Sequence, residues 1–470
     1  MQQQADVTFI KGGKIGIETE YRDNIPINMS AIIRPTFGAD GYMLQQPGLT
    51  QYATGLGIDR GVNWNERQAD LYRVSGTSLI KINSAGNVFD LGTIPGVDTV
   101  SMPYSFNTQG IVANGKFYLF DDVSGLVEVT DSDLGTPVDA TWIDSYYVFT
   151  DLSFLYHTEI NDETQIDPLK FATAEFSPDP TLGVGTTTDN KLIAFGRYTI
   201  EYFANQATSQ FAFQRITSRA IKAGIVGTHC KTLLNDDWYI LGGRKNESIS
   251  VHMLGVGTID KVASREVDLI LGKYNEFELS DVVVESRTED NYSYVIIHLP
   301  GETLLYNENI AKKAGYEQAW SILKSDVQGN LPWRAKHGAF DPRRGIWVYG
   351  DKFDGRLGYL DNMNATHYGN IAEIILYTPF MKLDSLSIDE LNIEIIPGQT
   401  VTDDATVAIS LTGDGLTYGM EVFLDYGAPS EYTKRFTARN LGHIRNWVSI
   451  KLRGASKSRM AFGAAGILYG

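Results

Sequence analysis

The sequence predicts an all-β chain: a degenerate six- or seven-bladed β-propeller-like domain, then a C-terminal β-sandwich, with an extended N-terminal arm. Three observations predict it. Short β-branched and aromatic runs recur along most of the 470 residues, and each is closed by Gly, Asn or Asp. The composition sets 25 Tyr and 21 Phe beside 46 Gly; aromatic residues suit half-buried pleated surfaces and glycine suits the turns between them. Helical periodicity is weak throughout.

Residues 1–55 read as an irregular arm, with turn punctuation at Lys11-Gly12-Gly13-Lys14 and Gln46-Pro47-Gly48, ending where a first strand begins. Residues 56–375 read as the propeller-like domain. Its inner-strand candidates centre on Tyr72, Phe117, Tyr147, Leu192, Trp238, Tyr294 and Trp347. They recur about every 30 to 56 residues, near the length of a propeller blade. Polar turns and second apolar runs follow several of them. Gly76-Thr77 precedes Leu79-Ile80-Lys81-Ile82, and Gly196-Arg197 precedes Ile200-Glu201-Tyr202-Phe203, which is the pattern of a hairpin. No sequence signature is shared between units. Two stacked sandwiches would also give short, regularly spaced strands. The grouping of strong runs between longer polar stretches favours the propeller, which leaves only short, protected edges.

Residues 376–470 read as a separate sandwich. Leu391 to Ile395 and Thr406 to Leu411 alternate cleanly, Thr412-Gly413-Asp414-Gly415 is a hairpin turn, and Ile444 to Leu452 alternates again.

The formal net charge is −17. Neutralisation of phosphates by Lys and Arg dominates non-specific DNA binding. A chain this acidic is a poor DNA binder and a suitable lining for a DNA conduit. Cys230 is the one cysteine, so an intramolecular disulfide is excluded and a reducing cytoplasm fits. Met1 to Asp6 lacks the basic and apolar regions of a signal peptide, and no apolar run approaches a membrane span, so no stable membrane anchor is expected.

No catalytic residue, cofactor or metal site is expected. The histidines at 157, 229, 252, 298, 337, 367 and 443 show no ligand spacing. His229-Cys230 is a lone pair of neighbours between apolar flanks, and both read as structural. Gly183-Val184-Gly185-Thr186 lacks the Gly-Lys-Ser/Thr end of a phosphate loop and reads as a blade turn. Asp414-Gly415 is similar to the structural Asp-box turns of sialidase-type propellers. Asp121-Asp122 and Asp236-Asp237 read as solvated turns. Lys434, Arg435, Arg439, Arg445, Lys451, Arg453, Lys457 and Arg459 make the C-terminal segment basic. They read either as solvated charge or as a docking patch for an acidic neighbour, another copy included.

Several runs resemble the packaged-DNA stabilisation proteins, also called tail hub or nozzle proteins, of short-tailed phages. In the arm these are Ile25-Pro26-Ile27-Asn28-Met29, Gly41-Tyr42 and Pro47-Gly48. Gly57-Ile58-Asp59-Arg60-Gly61-Val62-Asn63-Trp64-Asn65 follows. Mid-chain come Thr199 to Phe203, Gly224 to Thr232 and Ile296 to Pro300. Asp414 to Gly419, Gly442 to Arg445 and Ile450 to Arg453 complete the set. Their number and common order carry the resemblance. Arg459 departs from it, standing where the family pattern has proline.

The resemblance implies a structural virion protein of a short phage tail. It implies a homo-hexamer below the portal and its adaptor ring, which continues the DNA channel without binding DNA specifically and helps retain the packaged genome. It also implies attachment of tailspike or receptor-binding proteins and of a tail needle or plug. The family supplies no catalytic residue to carry over. The alternatives are a propeller-type glycan hydrolase, which needs two carboxyls roughly 5–10 Å apart across a cleft, and a carbohydrate-binding module. The acidic balance predicts that the isolated chain binds duplex DNA weakly or not at all near ~0.15 M salt. Fluorescence anisotropy with a labelled duplex checks this; tight binding with a steep salt dependence would contradict it.

Overall fold

The computed structural model describes residues 3–7, 24–34, 41–160, 162–174, 177–398, 400–403 and 405–470. Seven sheets, antiparallel but for one parallel bridge of His367 to Leu49 in the last, follow one another around a ring. Blade 1 holds Asp59–Asn65, Asp70–Ser75, Ser78–Ile82 and Val88–Thr93. Blade 2 holds Gln109–Ala113, Lys116–Asp121 and Gly125–Glu128. Its innermost strand is reduced to two bridges, Ser101 to Val112 and Tyr104 to Gln109. Pro103 sits between those bridges and has no N–H to give a ladder; its carbonyl still accepts from Gly110 N at 2.8 Å.

Blade 3 holds Asp139–Ile143, Tyr146–Thr150, Leu155–Glu159 and Asp162–Ala172, and blade 4 holds Thr181–Thr186, Leu192–Gly196, Ile200–Asn205 and Phe213–Arg215. In blade 5, Gly224–Ile225 and Lys231–Leu234 share the inner position and pair with Asp237–Gly243, followed by Ser250–Leu254 and Ile259–Lys261. Blade 6 holds Val283–Glu289, Tyr292–His298, Thr303–Asn307 and Trp320–Asp326. Blade 7 holds Ala335–Asp341, Ile346–Asp351 and Arg356–Asp361, and takes its next strand from the other end of the propeller. Gly48–Thr54 pairs with Arg356–Asp361, with Leu49 opposite Leu360 and Thr50 opposite Tyr359.

The expectation of six or seven blades resolves as seven. Each of the seven predicted strong runs falls in a different blade, but none is innermost. Six lie on second strands, and Phe117 lies one strand further out in blade 2. A second strand is paired on both edges and packed on both faces between neighbouring blades, so it is the most continuously apolar. Tyr146–Thr150 and Leu192–Gly196 are buried along their whole length.

Gly183-Val184-Gly185-Thr186 also differs from expectation, being an inner strand and not a turn. A Cβ on Gly185 would lie 2.6 Å from the Trp238 ring, and one on Gly183 would lie 2.9 Å from Lys231 Nζ. Glycine is there for close approach between blades. What recurs around the ring is a turn device. Asp121 and Asp351 each end a strand and Asp151 directly follows one, and one carboxylate oxygen of each accepts two following backbone N–H groups at 2.7–3.2 Å.

The sandwich has two sheets. One runs Met29–Ile32, Tyr42–Gln45, Ala461–Tyr469, Leu386–Ile395, Phe436–Ile444, with Gln3–Val7 also paired to Ala461–Tyr469. The other runs Ile374–Tyr377, Trp447–Ala455, Thr406–Thr412, Val422–Asp425. The segment read as an irregular arm therefore supplies strands to both bodies. Met29–Ile32 and Tyr42–Gln45, four residues each, show too little alternation to announce themselves, and the seven-residue Gly48–Thr54 does not alternate cleanly; they are strands because Ala461–Tyr469 and Arg356–Asp361 offer partners.

One hydrophobic core runs from blade 6 into the sandwich, through Ile297, Tyr306, Met29, Ile374, Val448 and Phe462. Asn28 fastens the junction. Its Nδ2 donates to the carbonyls of Lys324 and Glu373 at 2.9 and 2.7 Å, and its Oδ1 accepts from Lys324 N at 2.8 Å. Asn28 also holds φ +56°, which asparagine tolerates better than most residues. Gln45 Nε2 donates to Ala372 O at 2.8 Å, and Arg459 Nε donates to Gln45 O at 2.8 Å. Replacing Asn28 by Ala strands three backbone groups, two of them in buried bonds and one part-buried. We expect a loss of about 3 kcal/mol, read as a lower denaturant midpoint, with little change in secondary structure by circular dichroism.

Candidate functional site: the propeller axis and the sandwich edge

The inner strands carry charge where they line the axis. Asp139 begins the inner strand of blade 3, and its carboxylate joins four blades. It accepts from Ser101 Oγ at 2.5 Å, from Val184 N at 2.9 Å and from Lys231 Nζ at 2.8 Å. Lys231 also donates to Thr228 O at 2.7 Å. On the other side of the axis, Asp59 pairs with Arg73 at 2.6 Å, and both are fully buried. Glu285 of blade 6 accepts from the backbone of His337 and Gly338 in blade 7 at 2.5 and 3.1 Å, and lies 3.2 Å from His298 Nε2. The buried Arg60 side chain binds the carbonyls of Gly76, Ile94, Pro95 and Asp98, fixing the link from blade 1 to blade 2.

Burial sets the protonation of this belt. It lowers His229 and His298 to about 4 and His337 well below its ordinary value. It raises Asp59 to about 7, outweighing Arg73. It lowers Lys352 to about 7, with Lys336 adding to the effect. Burial also works to raise Glu285, but His298, His337 and the Gly338 N–H outweigh it and hold that carboxyl low. The chemistry of the belt is cohesive: its carboxylates bind cations or N–H groups, most of them in neighbouring blades. Sequence reasoning missed Asp59, Arg73, Asp139, Glu285 and Lys336. The available signal was a charged residue interrupting an otherwise apolar strand candidate.

The residues singled out in the sequence are dispersed. His157 lies among Tyr146, Phe211 and Phe213, donates through Nδ1 to Thr158 O at 2.7 Å and accepts Ala212 N at Nε2. His367 contacts Ser325 Oγ at 2.8 Å through Nδ1 and is lowered to about 3 by burial. His252 is buried, and His443 is exposed on the sandwich. Cys230 is fully buried, its thiol donates to the carbonyls of Leu279 and Val282 at 3.3 Å, and burial pushes it up to about 12. Among the described residues no group of three or more His, Cys, Asp or Glu side chains is arranged to hold a metal ion.

Asp414 is exposed, and its carboxylate accepts from Leu416 N, Thr417 N, Thr412 Oγ1 and Thr417 Oγ1 at 2.7–3.0 Å, closing its turn. Asp122 meets Lys81 at 3.2 Å. Asp237 is raised by burial, with Glu308 adding to it. The basic segment is partly engaged within the chain. Lys434 meets Asp425 at 2.5 Å, Arg439 meets Glu390 at 3.1 Å, Arg453 meets Glu421 at 2.7 Å, and Lys451 lies 5.0 Å from the Tyr418 ring centre. Arg459, the departure from the family pattern, ties Gln45 O to Asn362 Oδ1 at 2.8 and 2.7 Å. Arg435, Arg445 and Lys457 are exposed.

The buried histidines make stability depend on pH. Burial lowers six of them. Each binds a proton more readily when unfolded, so its contribution is complete above about pH 6.5 and is lost as pH falls toward 4. Asp59 has the opposite sign, since its raised value favours the fold at acid pH and that advantage fades as pH rises toward 7. Asp237 and Glu394, also raised by burial, share that sign; six histidines outweigh three carboxyls, so the melting temperature falls progressively from pH 6.5 to 4.5. Differential scanning fluorimetry checks this, and His298→Gln makes the acid limb shallower.

Comparison with known proteins agrees with this geometry. The family model for the β-propeller of bacteriophage P22 Gp10 matches residues 5–365, and the model for its β-sandwich matches residues 373–468. The chain is 29% identical over 468 residues to the tail hub protein gp10 of Salmonella phage P22, covering 96% of each chain. Among solved structures, the WD40 domain of Neurospora crassa Pan2 superposes on 68% of this chain and 97% of its own, with a TM-score of 0.44 and 8% identity. A likeness that remote decides nothing about the site. The two family matches take in both bodies and the segment that staples them, and the chain belongs to the bacteriophage P22 Gp10 family, as a structural tail hub protein of the virion.

Proposed function

We propose that this tail hub protein closes with five further copies into a ring below the portal and its adaptor. The ring continues the DNA channel, retains the packaged genome until ejection, and anchors tailspike and needle proteins. The observation that carries the reading is the relationship to the P22 tail hub protein along both domains, at 96% of each chain. The work is mechanical. Packaged DNA presses outward, and a ring with its plug closes the exit. Ring closure repeats one heterologous contact around the axis. The net charge of −17 suits a wall that encloses DNA without gripping it.

The protein performs this role without catalysis. The commitment of Asp139 and Glu285 to structural partners supports that reading, and among the described residues no feature favours a glycan hydrolase. Purified particles are expected to carry six copies, counted by imaging of the tail. A phage lacking the protein is expected to fill its heads and then leak DNA, because portal and adaptor alone leave an axial hole. Twelve copies would overturn the ring, and unfilled heads in the deletion mutant would move the role upstream to packaging.

A further inference from the structure

The charge of this chain is segregated. Between Asn83 and Leu169, fourteen carboxylates stand against one lysine, Lys116. From Tyr432 to Gly470 there are eight Lys and Arg side chains and no Asp or Glu. The acidic stretch builds the outer strand of blade 1 and nearly all of blades 2 and 3. The basic stretch supplies three sandwich strands, among them Phe436–Ile444, where the sheet ends. The blades follow chain order around the ring. The sandwich is fixed at blades 6 and 7 through Asn28 on Lys324 and Arg459 on Asn362. In a ring of seven, blades 2 and 3 lie across from that attachment. The two surfaces therefore occupy opposite ends of one chain.

Both surfaces carry exposed apolar residues that solvation alone does not call for. In the acidic sector Val123 is 97% exposed and Leu169 77%. Leu169 lies on Asp162–Ala172, the outermost strand of blade 3. Beside Phe436–Ile444 runs a second sheet end, Val422–Asp425, where Phe423 is 63% exposed and nearby Met420 89%. Exposed apolar residues beside unmatched charge suit a docking surface, whose apolar contacts are rimmed by polar ones. The sandwich also keeps accessible charge on this edge. Arg435 and Arg445 are exposed at either end of Phe436–Ile444, and the Arg439 side chain between them is 73% exposed.

We propose that the arginine-bearing sandwich edge of each copy docks on the acidic, apolar-studded rim of blades 2 and 3 of the next copy. The inference rests on the ring proposed above and names its contact. Complementary surfaces at opposite ends of one chain make a head-to-tail interface, which yields a closed ring when the rotation closes. Complementary charge fixes the register and disfavours edge-to-edge pairing of two basic strands.

The test uses phage carrying the full chain with exposed charges reversed. Arg435→Glu with Arg439→Glu and Arg445→Glu is expected to lower copies per particle by roughly 10-fold or more. Asp122→Lys with Asp133→Lys is expected to do the same, and both sets in one chain are expected to restore incorporation. Unchanged melting of each purified variant separates lost docking from lost folding. In wild-type particles, carbodiimide is expected to join Lys434 or Lys457 to carboxylates of residues 83–169, and such links must run between copies because the two ends are opposed. Normal incorporation of both reversed variants would overturn the docking and leave the ring standing. A wild-type count other than six would overturn the ring itself. Cross-links from blades 2 and 3 to a different tail protein, and none to a neighbouring copy, would assign this face to that protein and overturn the docking.

Discussion

The structure depends on one pairing, that of Gly48–Thr54 with Arg356–Asp361. Blade 7 has three strands from its own stretch of chain, and an open sheet there would expose a ladder of unpaired N–H and C=O groups. The strand that covers it comes from roughly 300 residues upstream, a closure whose entropy grows only slowly with length. It brings blade 7 against blade 1 so closely that a Cβ on Gly350 would lie 2.3 Å from the Asp59 side chain. The residues just before it are held in the sandwich by Asn28, Gln45 and the strands Met29–Ile32 and Tyr42–Gln45. One segment thus closes the ring and joins the bodies. Separation of the sandwich from the propeller requires tearing that segment from both.

The axis is a second constraint, of a different kind. Burying Asp59 with Arg73, or Asp139 with Lys231, gives up solvation that the ion pair only partly repays. These pairs are weak grounds for stability. Their geometry argues for specificity, since each carboxylate takes donors from particular blades at particular heights. Asp139 cannot meet Ser101, Val184 and Lys231 together unless blades 2 to 5 are in register. An apolar axis would tolerate slippage between blades, and a polar belt of this kind does not.

Much of the fold was legible because second strands are apolar on both faces, and each predicted run from Tyr72 to Trp347 marks one blade. The innermost strands were not legible, because lining an axis admits glycine, proline and charge. Gly183 and Gly185 look like a turn, Pro103 breaks a ladder, and Asp59 and Asp139 look like surface. The arm was misread for another reason. Its strands are short and take their identity from distant partners, which local pattern does not contain. The burial of Cys230 was legible from its apolar flanks, and its thiol lies against two backbone carbonyls. The axial carboxylates were invisible until blades 6 and 7 brought Glu285 to the backbone of His337.

Function in such a chain follows from where charge is used up and where it is left over. Inside, Asp59, Asp139 and Glu285 are matched with cations or N–H groups, most of them across blade boundaries. Outside, matching is incomplete. The deficit of cations in blades 2 and 3 and the excess at the sandwich edge cannot meet within one copy, because the staple at Asn28 and Arg459 holds them at opposite ends. In the ring proposed above these complementary ends meet copy to copy, and the staple between the two bodies holds the angle of that meeting constant from one contact to the next. A constant angle is what turns a pairwise contact into a closed ring, whereas a flexible junction between the two bodies would let the series run on as an open chain.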